Sequence, residues 1–374
     1  MPFERRAVVA AARKMDVVVA ARVPPYLYAA LASRPGLLVA DLYNPAEVEQ
    51  ADDDGGIAGR FKLASIRAHD TLQLGFADVV LCAVEAQRRQ YAARIGRLAA
   101  RRGRQPLLRV VPFGIDNDPP PPSTRHPIRD RFESIAPDDV VVLWWGNVWR
   151  WFDAETAIRA FVEVARENPK AKLVFTGGRP PRSEASQMDH TDAARELAGS
   201  LGVLGKTVYF VDDWVPHAER QDYLQEADVG LTLHRDTPEK EVAARGRYMD
   251  YLWAQLPCVL GRGDELADRF AASGFAATVP AGDIGRAVTA LRRLIDDPRA
   301  RASASAAAEP LLEVFRWSSA VSPLLEALDQ LDRDAPLRAT ARPQLLAALS
   351  AYYACRFAAD AAAGLSAKQR NGRQ

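Results

Sequence analysis

The sequence predicts an α/β protein with two domains, each built around a parallel β-sheet. Its 374 residues suffice for two cores of ordinary size, and 48% hydrophobic with 26% charged residues is typical of a soluble globular protein. Short apolar runs alternate with longer helical patterns along both halves, which favours parallel strands joined by helices. The prolines at 119–122 separate the halves, because proline suits neither a helix interior nor a central strand.

Short apolar runs in the first half predict buried strands at 17–20, 37–40, 79–82 and 108–111. The segments between these runs are long enough to form helices. We therefore expect a first domain at 1–118, a second domain at 119–310, and C-terminal helices at 311–374 that pack back on the first domain. The last residues of the chain, rich in Lys, Arg, Gly and Gln, are expected to be disordered.

The second domain opens with a predicted strand at 140–145 and a glycine-containing turn. Gly146 and Asn147 begin this turn, and Asp153 is a suitable N-cap for the helix that follows. Glycine lets a ligand approach the backbone amides, and the start of a helix attracts anions. The turn is therefore a candidate anion-binding element.

The stretch 228–264 contains the densest group of chemically useful side chains. A predicted strand at 229–233 leads to an acidic loop, then to a helical apolar stripe from 242 that stops before Pro257. This order gathers acids and guanidiniums at the carboxyl end of a strand, where ligands bind in open α/β sheets. The side chains are those of Glu239, Glu241, Arg245, Arg247 and Asp250. They fit a ligand with hydroxyls and phosphates, and an exposed helix start with solvated charges is the alternative.

The spacing Glu239-x5-Arg245-x-Arg247-x-x-Asp250, followed by Tyr-Leu-Trp-Ala, resembles the donor-binding segment of family 4 glycosyltransferases of the GT-B type. The likeness is strongest to a bacterial branch of cell-surface polysaccharide enzymes. It implies two Rossmann-type parallel-sheet domains. It also implies that Glu239 acts at the donor sugar as the catalytic carboxylate, that Asp250 holds the ribose hydroxyls, and that the two arginines bind the diphosphate.

Two further segments share this resemblance. The branch has a glycine-rich turn with aromatic residues after the first strand of its second domain, which makes Gly146, Asn147 and Arg150 diphosphate candidates. The loop at 212–216, which contains Trp214, corresponds to the place of the nucleotide base. The resemblance thus assigns a nucleotide-sugar to the second domain.

The sequence departs from the family in three respects. The commoner spacing has an acid at the position of Val242, and it has a glycine at the position of Gln255. The resemblance covers residues 12–330 and begins in the middle of the first domain, which is on the order of 60–70 residues shorter than in such relatives. A miscalled start codon, a second chain that supplies the missing part, or a decayed copy would each explain an incomplete first domain.

Bulk properties argue against several other classes of protein. A formal net charge of +1 provides no electrostatic drive toward nucleic acid. Cys82, Cys258 and Cys355 are far apart and the five histidines lack ligand spacing, so no metal site is predicted. The G-x-G-x-x-G pattern of a Rossmann dehydrogenase is absent. No apolar run approaches a membrane span and no secretory pattern is present, so a cytoplasmic protein is expected.

The expected activity is transfer of a sugar from a nucleotide-sugar to a glycan or lipid-linked acceptor, in cell-envelope or secondary-metabolite glycan synthesis. The resemblance implies retention of the anomeric configuration, no metal or other cofactor, and stabilisation of the diphosphate by helix-start amides and arginines. A peripheral membrane contact and a second protein chain are further expected partners. A non-catalytic nucleotide-sugar-binding protein that depends on a partner is the second interpretation, and a GT-B sugar epimerase is the third.

Overall fold

The structure is a computed structural model that describes residues 5–33, 36–44, 46–49, 56–99, 105–177, 189–331, 347 and 349–361. The strands are β1 Val17–Ala20, β2 Leu37–Asp41, β3 Val79–Cys82, β4 Leu107–Val110, β5 Val140–Trp144, β6 Ala171–Thr176, β7 Val208–Val211, β8 Val229–Thr232, β9 Cys258–Gly261 and β10 Ala276–Val279. The helices are α1 Arg5–Ala12, α2 Pro25–Ala32, α3 Ala46–Glu49, α4 Ile57–Phe76, α5 Glu85–Ala99, α6 Ala154–Glu167, α7 Asp189–Ser200, α8 Arg220–Glu226, α9 Gly246–Trp253, α10 Glu265–Ser273, α11 Ile284–Ile295, α12 Pro298–Ala306, α13 Glu309–Phe315, α14 Trp317–Ala320 and α15 Ser322–Asp329. The predicted disordered tail lies outside the described residues.

The first compact unit contains the described residues within Met1–Pro112 and Val321–Gln374. Its sheet has the order β1-β2-β3-β4, and every neighbouring pair is parallel. Leu38 and Val80 pack on one face of the sheet in a core shared with α2 and α4. Val39 and Val79 pack on the other face with Ala327 of α15. Burial on both faces explains why these strands read as continuous apolar runs in the sequence.

The second compact unit contains the described residues within Phe113–Ala320. Its six strands have the order β10-β9-β8-β5-β6-β7, and all pairs are parallel. Helix α6 begins at the predicted cap, where the Asp153 carboxylate accepts a hydrogen bond from the Thr156 amide at 3.0 Å. The apolar face of α6 packs on the sheet, with Phe161 buried beside Trp144 and Phe175.

The strand order of the second unit reverses between β5 and β8. The chain leaves β5 toward β6 on one side and returns to β8 on the other. Connections that diverge in this way open a crevice at the carboxyl ends of the two strands, which is where doubly wound sheets bind ligands. The crevice is flanked by the turn that starts at Gly146 and by the segment that leads from β8 to α9.

The predicted fold class is confirmed, because both units are parallel-sheet α/β structures. The predicted start of the helix before Pro257 was wrong by four residues, since α9 begins at Gly246 and not at Val242. Pro238–Glu241 forms a 3-10 turn instead, and Arg245 adopts an extended conformation with φ −97° and ψ 100°. The acidic loop therefore has no α-helical structure until Gly246.

Candidate functional site

The turn after β5 forms one wall of the crevice in the second unit. Gly146 has φ +82°, a backbone conformation that favours glycine, and its amide donates to Thr176 Oγ1 at 3.1 Å. Gly177, at the end of β6, packs directly against this turn with φ +145°. A Cβ atom at Gly177 would lie 2.8 Å from both N and Cα of Asn147. The turn is thus held in place by a close backbone contact that only glycine permits.

Replacing Gly177 with alanine is expected to destabilise the protein by about 1–3 kcal/mol, because the new methyl group clashes with the Asn147 backbone and the positive φ adds strain. The same change should displace the Gly146 turn and weaken binding of any anion there. Thermal unfolding and ligand titration measure the two effects. Gly202→Ala is the matched control, since Gly202 has φ +70° but nothing within 4 Å of its Cβ position. Equal loss of ligand binding in both variants would contradict the assigned contact.

Arg247, in the first turn of α9, reaches across to the same turn. Its Nη2 donates to the Asn147 carbonyl oxygen at 2.7 Å, and its guanidinium lies 3.9 Å from the centre of the Phe152 ring. Its Nη1 is shielded from solvent and has no hydrogen-bond partner among the described residues. Burial lowers the pKa of Arg247 to about 10. A shielded guanidinium that lacks a carboxylate partner in this part of the chain is suited to bind an anion.

Asp250 lies one turn further along α9, at a cavity of about 340 Å³. Its Oδ2 accepts a hydrogen bond from Trp145 Nε1 at 2.9 Å, and its Oδ1 lies 3.3 Å from Arg220 Nε. Burial raises the pKa of Asp250, although Trp145 and the nearby Arg220 partly oppose that rise. Gly246 lines the same cavity. The helix therefore presents its first residue and this carboxylate, four positions apart, on one side.

Arg220 braces the carboxylate of Asp250 from the start of α8. Its guanidinium stacks on the Trp253 ring at 4.1 Å and forms an ion pair with Asp116. Its Nη1 also lies 3.0 Å from Nδ1 of His217. These contacts leave Arg220 with little freedom to move, so that it fixes one edge of the cavity.

Glu239 and Arg245 form a separate buried ionic group in the segment just before α9. Arg245 Nη2 donates to Glu239 Oε2 at 3.0 Å, and Arg245 Nε lies 3.3 Å from Asp264 Oδ2. Burial alone would lower the pKa of Arg245, but Tyr248, Glu239 and Asp264 raise it overall. The Arg245 side chain is only 3% exposed. Arg245, which the sequence groups with Arg247 as a diphosphate candidate, is thus enclosed by protein carboxylates.

The structure brings together some of the sequence-predicted residues and separates others. Gly146, Asn147 and Arg247 are in contact. Asp250 is linked to this group because its carboxylate accepts a hydrogen bond from Trp145, the residue before Gly146. The two predicted arginines meet the same ring, with the guanidinium of Arg245 5.3 Å and that of Arg247 3.9 Å from the centre of Phe152. Arg150 is partly exposed in the turn between Trp149 and Trp151, whose rings stack 6.0 Å apart. Trp214 is 48% exposed in the loop after the edge strand β7.

Sequence reasoning missed three residues that shape the site, namely Trp145, Arg220 and Asp264. Each comes from a different strand end or helix start, and none belongs to a recognisable spacing. Within the described residues, no group of three or more His, Cys, Asp or Glu side chains could hold a metal ion. None of the described helices combines the length and the apolar character that a membrane span requires.

Comparison with protein-family models gives no match, and comparison with curated protein sequences gives none either. Solved structures do match. The structure of Anabaena HepE in complex with UDP-glucose is similar with a TM-score of 0.66 at 16% identity, over 87% of this chain and 82% of that chain. The α,α-trehalose 6-phosphate synthase of Burkholderia multivorans has a TM-score of 0.64 at 14% identity, over 87% and 72%. The sucrose-phosphate synthase of Thermosynechococcus elongatus has a TM-score of 0.61 at 16% identity, over 87% and 76%.

These likenesses establish the fold of the chain. The matched proteins are GT-B glycosyltransferases, and their two parallel-sheet α/β domains correspond to the two sheets described above. The chain therefore has the GT-B fold that the resemblance in its second domain implied.

Proposed function

We propose that this protein is a glycosyltransferase that moves a sugar from a nucleoside-diphosphate sugar to an acceptor. The observation that supports this proposal most directly is the arrangement along α9. Its first turn carries the shielded Arg247 at the Gly146 turn, and its next turn carries Asp250 at the cavity. An anion site and a carboxylate one helical turn apart match a diphosphate joined to a ribose.

The diphosphate end of the donor would bind between the start of α9 and the turn after β5. The Nη1 of Arg247 supplies a donor without a protein partner among the described residues, and the helix start adds a partial positive charge. The acceptor hydroxyl oxygen would form a bond to the anomeric carbon as the bond to the diphosphate breaks. Negative charge then develops on the terminal oxygen of the departing diphosphate, which can take up the proton of the acceptor hydroxyl. A cation that is already in position stabilises that charge as it develops. No protein nucleophile and no metal is part of this proposal.

The ribose would bind at Asp250, whose carboxylate can accept hydrogen bonds from two vicinal hydroxyls. Trp145 and Arg220 hold that carboxylate in place. Glu239 would act at the sugar end, and Gly146, Asn147, Arg150 and Trp214 remain proposed donor contacts. We further propose membership of family 4, a hexose as the transferred group, retention of configuration, and a glycan or lipid-linked acceptor. The structural neighbour HepE, which was solved with UDP-glucose, supports UDP-sugars as the first probes.

A nucleotide panel tests the proposal. UDP, GDP, ADP and dTDP, each with its glucose derivative, are added to the full chain and the melting temperature is measured. A nucleotide that binds the folded state should stabilise it by about 2.7 kcal/mol at one hundred times its dissociation constant. No shift with any nucleotide would overturn the proposal. Binding without turnover toward any acceptor or water would favour the non-catalytic alternative.

A further inference from the structure

We infer that Arg245 is a positioning residue, which holds Glu239 at the sugar end of the site and makes no contact with the diphosphate. The inference rests on the proposed function and deepens it. Two arginines of the same motif then have different roles. Arg247 would bind the leaving group, and Arg245 would fix the carboxylate that meets the sugar.

Protein carboxylates already pair with the Arg245 guanidinium. The Arg245 side chain is 3% exposed. Its guanidinium forms ion pairs with the carboxylates of Glu239 and Asp264. A diphosphate that replaced either carboxylate at this guanidinium would leave an unpaired negative charge in the interior. Arg247 differs, because its Nη1 has no hydrogen-bond partner in the described part of the chain.

Asp264 provides Arg245 with a rigid support. Asp264 is the N-cap of α10, and its Oδ1 accepts from the Ala267 amide at 2.7 Å. Its Oδ2 also accepts from the Tyr248 hydroxyl at 3.2 Å and lies 3.5 Å from His234 Nε2. The Asp264 carboxylate is therefore held by the backbone of α10, by Tyr248 of α9 and by His234 of the segment after β8, in addition to Arg245.

Glu239 needs such support because of its place in the chain. It lies in the 3-10 turn Pro238–Glu241, within an irregular segment that connects β8 to α9. Neither a helix nor a sheet ladder sets the position of its side chain. The hydrogen bond from Arg245 to Glu239 Oε2 at 3.0 Å links it to Asp264 and hence to the start of α10. A guanidinium can bridge two carboxylates in fixed directions, whereas a lysine ammonium cannot.

Binding of UDP and of UDP-glucose to wild-type protein and to Arg245→Gln, Glu239→Gln and the double variant tests the inference. We expect Arg245→Gln to leave the UDP affinity within about twofold. The same change should weaken UDP-glucose binding or turnover about tenfold or more, as loss of a charged hydrogen bond does. The double variant should behave like Glu239→Gln alone, because the two residues act as one unit.

The control variants separate positioning from stability. Arg245→Lys keeps the buried positive charge and serves if Arg245→Gln does not fold; it should bind UDP like wild type and lose part of the preference for UDP-glucose. Arg247→Gln should weaken UDP and UDP-glucose equally. Equal loss of UDP and UDP-glucose in the Arg245 variants, or additive losses in the double variant, would overturn the inference. If the wild-type protein bound no nucleotide, the proposed function itself would fail.

Discussion

Replacing Arg247 with methionine is expected to weaken binding of UDP about 10- to 150-fold, because hydrogen bonds to a charged group contribute about 1.5–3 kcal/mol. The methionine side chain keeps an unbranched apolar stem over Phe152, so the packing is largely retained. Isothermal titration at fixed ionic strength measures the effect. Arg247→Lys should retain part of the affinity, since it restores the charge but not the fork of donors.

The stability of the ligand-free Arg247→Met protein should change little, because the substitution removes the cost of the buried charge together with the hydrogen bond to the Asn147 carbonyl. Burial lowers the pKa of Arg247 to about 10, which means that the folded state disfavours the charged form. The guanidinium is charged in both folded and unfolded states at neutral pH, so this cost is constant there and methionine removes it. Arg293→Met, at an exposed position of α11, is the matched control and should leave affinity unchanged. A loss of affinity that is no larger in Arg247→Met than in this control would exclude Arg247 from the donor site.

Replacing Asp250 with asparagine is expected to weaken binding of UDP about tenfold or more and to leave the affinity for inorganic pyrophosphate unchanged. The amide can still accept from Trp145 Nε1, but it cannot accept from two ribose hydroxyls as a carboxylate does. Competition titrations with UDP and pyrophosphate separate the two ends of the ligand. A parallel loss of both ligands would show that Asp250 acts on the phosphates or on the fold, and the ribose assignment would be withdrawn.

The affinity for UDP should also fall as the pH is lowered. Burial raises the pKa of Asp250, so the carboxylate is protonated at a higher pH than an exposed aspartate. For stability the sign is opposite: the contribution of Asp250 is favourable at low pH and is lost as the pH rises through its folded pKa. Asp250→Asn should therefore be at least as stable as wild type at neutral pH and should show a flatter dependence of affinity on pH. His217 also lines this cavity. His217→Gln is the control, and it should keep the wild-type dependence of affinity on pH.

The strands were predictable because buried parallel strands are continuous apolar runs. The run at 79–82 became β3 Val79–Cys82, and the run at 229–233 became β8 Val229–Thr232. The start of α9 was not predictable to the same precision. Apolar residues such as Val242 and Ala243 are buried in the irregular segment and so continue the hydrophobic pattern ahead of the helix. A pattern of apolar residues shows which residues are buried. In this segment the buried residues do not form an α-helix.

The sequence located the candidate site but could not assign its individual side chains. Arg245 precedes α9 in an extended conformation and Arg247 lies in the first turn of the helix, so the two neighbouring charges face different surroundings. Arg245 and Arg247 show this, since one meets Glu239 and the other meets the Asn147 carbonyl. The surroundings of the two arginines differ because Arg245 also pairs with Asp264. Asp264 follows β9 and has no fixed spacing from the motif. Such partners become visible only when the strands are placed side by side.

Phe152 has a consequence for how this protein could change its donor. One aromatic ring supports the guanidiniums of both Arg245 and Arg247, and its backbone pairs with His234 beyond β8. A substitution at this ring would disturb both guanidiniums, and with them the proposed leaving-group end and the proposed sugar end. Mutations that alter the proposed sugar preference one step at a time should therefore lie at residues other than Phe152. Phe152 itself is a poor starting point for engineering.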